Sequence, residues 1–384
     1  MKSSPVWKLK GTLFFFHASM TIMISYLPVY FQYLGLTPWE IGVLLAAGPA
    51  AAILAQPFWG FMSDKWKTVR KILILCLSGA LTVGFFLFQL NEFYYIIPAV
   101  YLFFSFLSPA GGLGDSLAQK VSVEKSVSFG SIRMWGSLGF GSASLAGGYI
   151  LSWIGVGHIY AVFALFLVTA LIFAYASPDS TPSSKPVSLG SAWKLRKDRE
   201  LLLFLGFIMT ISLTHRMNDS FIGLYIVDLG ADESVIGMAW FIGVTAEALM
   251  FAFSTYWMRR FHPLTLIALA AALYTVRWIL LFLAPEPGYV LMIQVTHGIA
   301  FAVFYLTAFQ FVSRLVPKEL ESTGHLLFIS VFFGVSGVIG SSAGGIIVDA
   351  YSLKILYAVM ACLAFAGFIG ALTYRKKFIQ KFSY

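Results

Sequence analysis

Long apolar stretches alternate with short polar stretches along the whole chain. A helix needs about 20 mostly apolar residues to cross the hydrocarbon core of a bilayer. The pattern therefore predicts an all-α polytopic membrane protein with twelve transmembrane helices, over residues 11–33, 40–61, 71–90, 93–112, 129–153, 157–177, 201–226, 234–257, 263–284, 288–314, 322–348 and 353–374.

One polar stretch is longer than the others and divides the predicted helices into six and six. It begins after Ser177, is rich in serine and proline, and then becomes basic. Such a composition is typical of a linker that cannot be buried in lipid. The sequence predicts an N-terminal six-helix bundle over 1–177, a cytoplasmic linker over 178–200 and a C-terminal six-helix bundle over 201–384.

The positive charges indicate how the helices are oriented. The net charge is +9, and 22 of the 26 lysine and arginine residues lie in the termini or in every second connecting segment. Basic loops stay in the cytoplasm, so both termini are predicted to be cytoplasmic. We interpret the charge as topological rather than as a sign of nucleic-acid binding. Cys76 and Cys362 lie in different predicted helices, and we expect no disulfide between them.

A polar stretch between the second and third predicted helices carries a recognisable pattern. Gly60 is followed by Asp64 and Lys65, and then by Arg70 and Lys71. This pattern resembles the loop at the same place in transporters of the major facilitator superfamily. The resemblance extends over essentially the whole chain. It implies two six-helix pseudo-repeats and a role in conformational gating for these five residues; the alternative is that the stretch is only a topological anchor.

Several ionisable residues lie inside predicted helices or, like Asp115, near the end of one. A charged side chain in hydrocarbon costs several kcal/mol, so a set whose charges sum to zero predicts a polar interior in which charges are paired or hydrated. The alternative for Asp115 with Arg133, and for Arg216 with Asp219, is that each forms a structural ion pair. The six residues of firm charge are Asp115, Arg133, Arg216, Asp219, Glu247 and Arg277.

The fifth predicted helix carries a motif that resembles one particular branch of this superfamily. Arg133 begins an Arg-x-Trp-Gly-Ser motif that is similar to the branch of oligosaccharide/proton symporters (lactose permease-like) with nucleoside and phenylpropionate permeases. The resemblance implies that Asp115 and Arg133 bind substrate, with Phe140 about two turns further along. It also places Arg277 and His297 among the substrate-binding residues.

The same branch carries a glutamate one turn beyond the tenth-helix histidine, where this chain has Ala300. The candidates for the proton-coupling group are therefore Asp219, Glu247 and His297, since histidine changes its charge near neutral pH. Asn218 lies within the charged stretch of the seventh helix and completes the predicted substrate-binding set.

Together these features predict a secondary active transporter that moves a small organic solute by alternating access. We interpret it as a proton-coupled symporter of a sugar- or nucleoside-like molecule; the alternative is a proton-driven multidrug or antibiotic efflux antiporter on the same fold. The sequence has no phosphate-binding loop and no Cys/His cluster, and we expect no enzyme activity, cofactor or metal. The expected partners are the substrate, protons and the lipid bilayer of a bacterial-type inner or cytoplasmic membrane, with the protein acting as a monomer.

Overall fold

The computed structural model describes residues 6–179, 195, 198–258 and 260–382, and its regular elements within these ranges are helices. Short helical turns lie at Val156–His158, Ser254–Met258 and Lys318–Leu320. The long helices are α1 (Val6–Tyr33), α2 (Pro38–Trp66), α3 (Val69–Leu87), α4 (Phe93–Glu124), α5 (Phe129–Ile154), α6 (Ile159–Ala176), α7 (Arg199–Asp228), α8 (Glu233–Ala252), α9 (Pro263–Leu283), α10 (Pro287–Leu315), α11 (Glu321–Ile329, a π-helical segment Ser330–Val335, and Ser336–Ala350) and α12 (Leu353–Phe382).

Eleven helices among the described residues are long and apolar enough to cross a membrane. The helix α5, which is rich in glycine and serine, is not one of them. The predicted all-α membrane class is confirmed. The count of twelve spans and the cytoplasmic position of both termini stay predictions.

The chain forms two compact units. The first unit comprises Met1–Pro186 with Ala231–Phe241, and the second comprises Val187–Gly230 with Ile242–Tyr384. The predicted bundles over 1–177 and 201–384 remain a prediction. Most of the predicted linker, residues 180–194 and 196–197, lies outside the described residues.

Several helices extend beyond the predicted spans. The polar residues 62–70 were predicted to lie between the second and third helices, and this is wrong in extent: α2 continues to Trp66, and only Lys67 and Thr68 separate it from α3. Hydropathy marks the part of a helix that meets lipid, whereas the local backbone hydrogen bonds of a helix continue into water. Lys67 ends α2 in a left-handed conformation (φ 52°), and Thr68 caps α3 by accepting the backbone N–H of Lys71.

Small residues of α11 pack against α7 in the second unit. Ser212 and Ser220 of α7 pair with Ser336 and Ser341 of α11 at oxygen–oxygen distances of 2.7 and 2.8 Å. A Cβ atom on Gly340 would lie 3.2 Å from a backbone oxygen of α7. Small residues at this interface let the two helices approach closely.

Within the first unit, the closest approach of α1 and α5 depends on Gly139. A Cβ atom at this position would collide with the backbone carbonyl of Phe14. Backbone atoms cannot move aside as a flexible side chain can, so the helices would have to separate.

We therefore expect Gly139→Ala to destabilise the protein by about 1–3 kcal/mol, the usual cost of overpacking. The measurement is the thermal unfolding midpoint in detergent. Gly141→Ala is the matched control on the same helix, because its nearest new neighbour would be a side-chain atom of Phe241 at 3.8 Å. Equal midpoints for the two variants would contradict this account of the α1–α5 contact.

Candidate functional site

The first unit brings together the acid and the arginine of the fourth and fifth helices. Arg133 Nε lies 2.7 Å from Asp115 Oδ1, and the two side chains are 32% and 40% exposed. Asp115 was predicted to lie near the end of its helix, but α4 continues to Glu124. The pair is therefore held by two helices and is still open to a ligand.

His17 of α1 lies beside this ion pair, and the sequence had not assigned it to the site. A Cβ atom on Gly136 would lie 2.7 Å from Arg133 Nη1 and 2.8 Å from His17 Nδ1. The ring nitrogen Nδ1 of His17 is 2.8 Å from the carbonyl oxygen of Leu13. The glycine of the Arg-x-Trp-Gly-Ser motif thus leaves room for both side chains.

Phe140 lies about two turns beyond Arg133 on the same face of α5. Its ring packs edge to face against Trp240, with centroids 6.2 Å apart and planes at 65°. Trp240 belongs to the part of α8 that is grouped with the first unit. Nothing in the local sequence around Trp240 indicates this contact, because it depends on how α8 packs.

The predicted gating residues lie at the end of α2 and the start of α3. Asp64, Lys65 and Lys71 are exposed, whereas Arg70 is partly buried. A Cβ atom on Gly60 would meet nothing within 4 Å, so packing within this unit does not require a glycine there.

Asp179, at the start of the predicted linker, holds the beginning of α3. Its carboxylate accepts hydrogen bonds from the Thr68 hydroxyl at 2.6 Å and from the Arg70 backbone N–H at 3.0 Å. The Arg70 guanidinium donates to the carbonyl oxygen of Ser177 at 2.8 Å. Sequence reasoning missed Asp179, because it is 109 residues from Arg70 along the chain.

The second unit contains a cluster of charges on α7. Arg216 Nη1 donates to Asp219 Oδ2 at 2.8 Å, and His215 Nε2 lies 3.4 Å from the same oxygen. Tyr274 of α9 places its hydroxyl 3.0 Å from His215 Nδ1. Both nitrogens of the His215 ring therefore face a polar group.

Arg277 of α9 is completely buried. Its Nη2 donates to the side-chain oxygen of Gln294 on α10, and its guanidinium carbon lies 4.5 Å from the ring centroid of Trp278. Its Nε and Nη1 have no hydrogen-bond partner within the described part of the chain. A buried guanidinium with unused donors is costly, and such a group is suited to binding a polar ligand.

Asn218, predicted to bind substrate, is buried and accepts a hydrogen bond from the Tyr357 hydroxyl at 3.4 Å. Glu247 is partly buried on α8. A Cβ atom on Gly298 would collide with the backbone nitrogen of Glu247, so α8 and α10 touch closely at this point. His297 lies one residue before that glycine.

Aromatic rings surround the α7 charges. The rings of His215 and His297 are nearly parallel (18°) with centroids 5.3 Å apart. The ring centroid of Phe332, in the π-helical segment of α11, lies 5.6 Å from that of His215. The guanidinium carbon of Arg216 lies 5.8 Å from the ring centroid of Phe333. Such π-helical segments are frequent at functional sites.

Comparison with known proteins identifies the family. A family model described as the MFS_1 like family matches residues 6–359. The chain belongs to this major facilitator family. Its members are transporters and not enzymes, and with its apolar helices the chain is a multi-pass protein of the cell membrane.

Individual proteins agree with this assignment. The chain is 28% identical to the uncharacterised transporter YwbF of Bacillus subtilis over 86% of this chain and 83% of that protein. It is also 28% identical to a maltose permease of Geobacillus stearothermophilus, over 88% of this chain and 86% of the permease. A crystal structure of the nucleoside transporter NupG superimposes with a TM-score of 0.84 at 17% identity, covering 97% of this chain and 98% of NupG.

In this transporter, the predicted substrate-binding and proton-coupling residues fall into two groups, one in each unit. Asp115, Arg133 and Phe140 share the first, and the second holds the predicted residues of α7 to α10. Packing adds residues that the sequence did not assign, namely His17, Asp179, Trp240, Tyr274 and Gln294.

Proposed function

We propose that this transporter is a proton-coupled symporter of a small polar organic solute, sugar- or nucleoside-like, that works by alternating access. The observation that carries the proposal is the ion pair of Asp115 and Arg133 on membrane helices, about a third exposed, with the aromatic ring of Phe140 on the same helix face. Charged groups bind hydroxyl and amide groups strongly, and an aromatic ring packs against a sugar or base.

The second unit carries the titratable side chains that we propose for coupling to protons. Asp219, Glu247 and His297 are the candidate proton-coupling groups, and Arg277 and Asn218 are proposed to contact the solute. Solute and proton are coupled when both favour the same state of a two-state equilibrium. The two Arg277 donors that have no partner in the described part of the chain favour a role in binding the solute.

The names of two similar proteins agree with this substrate class. One is a maltose permease and the other is a nucleoside transporter. We propose that Gly60, Asp64, Lys65, Arg70 and Lys71 act in conformational gating, with Asp179 positioning Arg70, and that the protein functions as a monomer.

The first test is thermal stabilisation of the purified protein by a panel of sugars, nucleosides, aromatic acids and lipophilic drugs. We expect a sugar or nucleoside to raise the unfolding midpoint, because a ligand that binds only the folded state stabilises it, by about 2.7 kcal/mol at a hundred times its Kd. The effect should disappear in Arg133→Ala.

The control is Arg314→Ala, which removes an exposed arginine at the end of α10 and should keep the full stabilisation. Stabilisation by lipophilic drugs alone, unchanged in Arg133→Ala, would contradict the symporter and favour efflux.

A further inference from the structure

Three side chains of the second unit bring metal-binding atoms together. His215 and Asp219 of α7 and His297 of α10 each place one ligand atom within 4.8 Å of the others. The two histidines are almost fully buried, and the Asp219 side chain is 11% exposed. Two imidazoles and one carboxylate form a ligand set typical of zinc sites that keep a position open.

The spacing on α7 suits a transition metal. A tetrahedral ion with bonds of about 2.0–2.1 Å holds neighbouring ligand atoms about 3.4 Å apart. His215 Nε2 and Asp219 Oδ2 are 3.4 Å apart, which results from their positions one helical turn apart. The ring of His297, parallel to that of His215, supplies the third ligand from α10.

Tyr274 completes the arrangement around His215. Histidines that bind metals usually donate their second ring N–H to an oxygen, which fixes the tautomer. The Tyr274 hydroxyl lies 3.0 Å from His215 Nδ1 and is suited to accept that proton. His215 Nε2 then carries its lone pair on the side of Asp219.

Nearby positive charges lower the affinity of these three residues for a metal ion. Arg216 is bound to Asp219 Oδ2, but Asp219 Oδ1 is buried and has no hydrogen-bond partner among the residues described. A carboxylate oxygen has two lone pairs, so Asp219 Oδ2 can bind a metal while it still accepts the hydrogen bond of Arg216. The positive charges of Arg216 and Arg277 oppose the metal, so removing one of them should strengthen binding.

We propose that His215, Asp219 and His297 bind a divalent transition-metal ion of the zinc class. The bound ion links α7 to α10 and thereby inhibits transport. The inhibition rests on the proposed transport function, whereas the binding does not.

The experiment is titration of the purified full-length protein, free of chelators, with ZnCl₂ by calorimetry and with CoCl₂ by visible absorption. We expect one saturable zinc site and a cobalt spectrum typical of nitrogen and oxygen ligands. His215→Ala and His297→Ala should each weaken zinc binding at least about tenfold, and Tyr274→Phe by about tenfold.

Arg216→Gln distinguishes this site from adventitious binding, because it should tighten zinc binding by about tenfold through loss of an opposing charge. His325→Ala is the control: this histidine contacts Ser313 and Phe309 and lies outside the cluster. The proposal is overturned if wild-type protein shows no saturable zinc site, or if the two histidine variants and Arg216→Gln all bind zinc as the wild type does.

These titrations need no transported solute, so their result is independent of the proposed function. Once a solute is known, zinc should inhibit its uptake into proteoliposomes in the wild type and not in His215→Ala at the same concentration. Uptake unaffected by zinc in a wild type that binds the ion would overturn the inhibitory role.

Discussion

Arg133→Ala is expected to reduce solute uptake into proteoliposomes by roughly 100-fold or more. A hydrogen bond to a charged group contributes about 1.5–3 kcal/mol, and the guanidinium can form two of them to a polar solute. Arg133→Lys keeps the charge but loses the paired donors, so its uptake should remain well below wild type. The measurement is the initial rate of uptake of the solute identified by thermal stabilisation, at equal protein incorporation.

A structural ion pair is the alternative role for Arg133, and the double variant Asp115→Ala/Arg133→Ala separates the two roles. Removing one partner of this partly exposed pair leaves an uncompensated charge on a membrane helix, whereas removing both can be nearly neutral for stability. If the pair binds substrate, the double variant should unfold near the wild-type temperature and still fail to transport. Recovery of uptake in the double variant would show that the pair is structural. Arg314→Ala provides the arginine control.

Glu247→Gln is expected to abolish accumulation of solute driven by an imposed pH gradient. A carboxamide has nearly the same shape as the carboxylic acid but cannot bind and release a proton. Wild-type uptake should increase when the outside is more acidic than the inside, because protons then enter with the solute. In the variant, uptake should be the same with and without the gradient, and exchange of solute between the two sides should continue.

Glu286→Gln is the matched control, since Glu286 is exposed just before α10 and should leave the response to pH unchanged. Asp219→Asn and His297→Gln test the other two proton-coupling candidates in the same assay. Gradient-driven accumulation that persists in Glu247→Gln would exclude this residue as the proton carrier. Wild-type uptake that ignores the gradient would exclude proton coupling altogether.

Close packing of helices decided which residues join each site. The glycine Gly136 could be seen in the Arg-x-Trp-Gly-Ser motif, but its neighbour His17 comes from α1, and only the crossing of α1 with α5 brings them together. Likewise, Asp179 was interpreted as part of a linker, yet it accepts two hydrogen bonds at the start of α3. Such contacts join residues more than one hundred positions apart, and no local pattern records them.

The sequence by itself determined the class of the protein. Apolar runs of bilayer length require helices, since every backbone polar group in lipid must be satisfied within its own segment. The pattern from Gly60 to Lys71 resembled one family of membrane transporters. The spacing of His215, Arg216 and Asp219 along one helix also fixed their proximity. Only the tertiary structure decided that His297 stacks on His215, that Tyr274 contacts the other nitrogen of that ring, and that two donors of the buried Arg277 have no partner among the described residues. The physical reason is that hydropathy and helical periodicity act within one segment, whereas these contacts depend on how α7, α9 and α10 pack together.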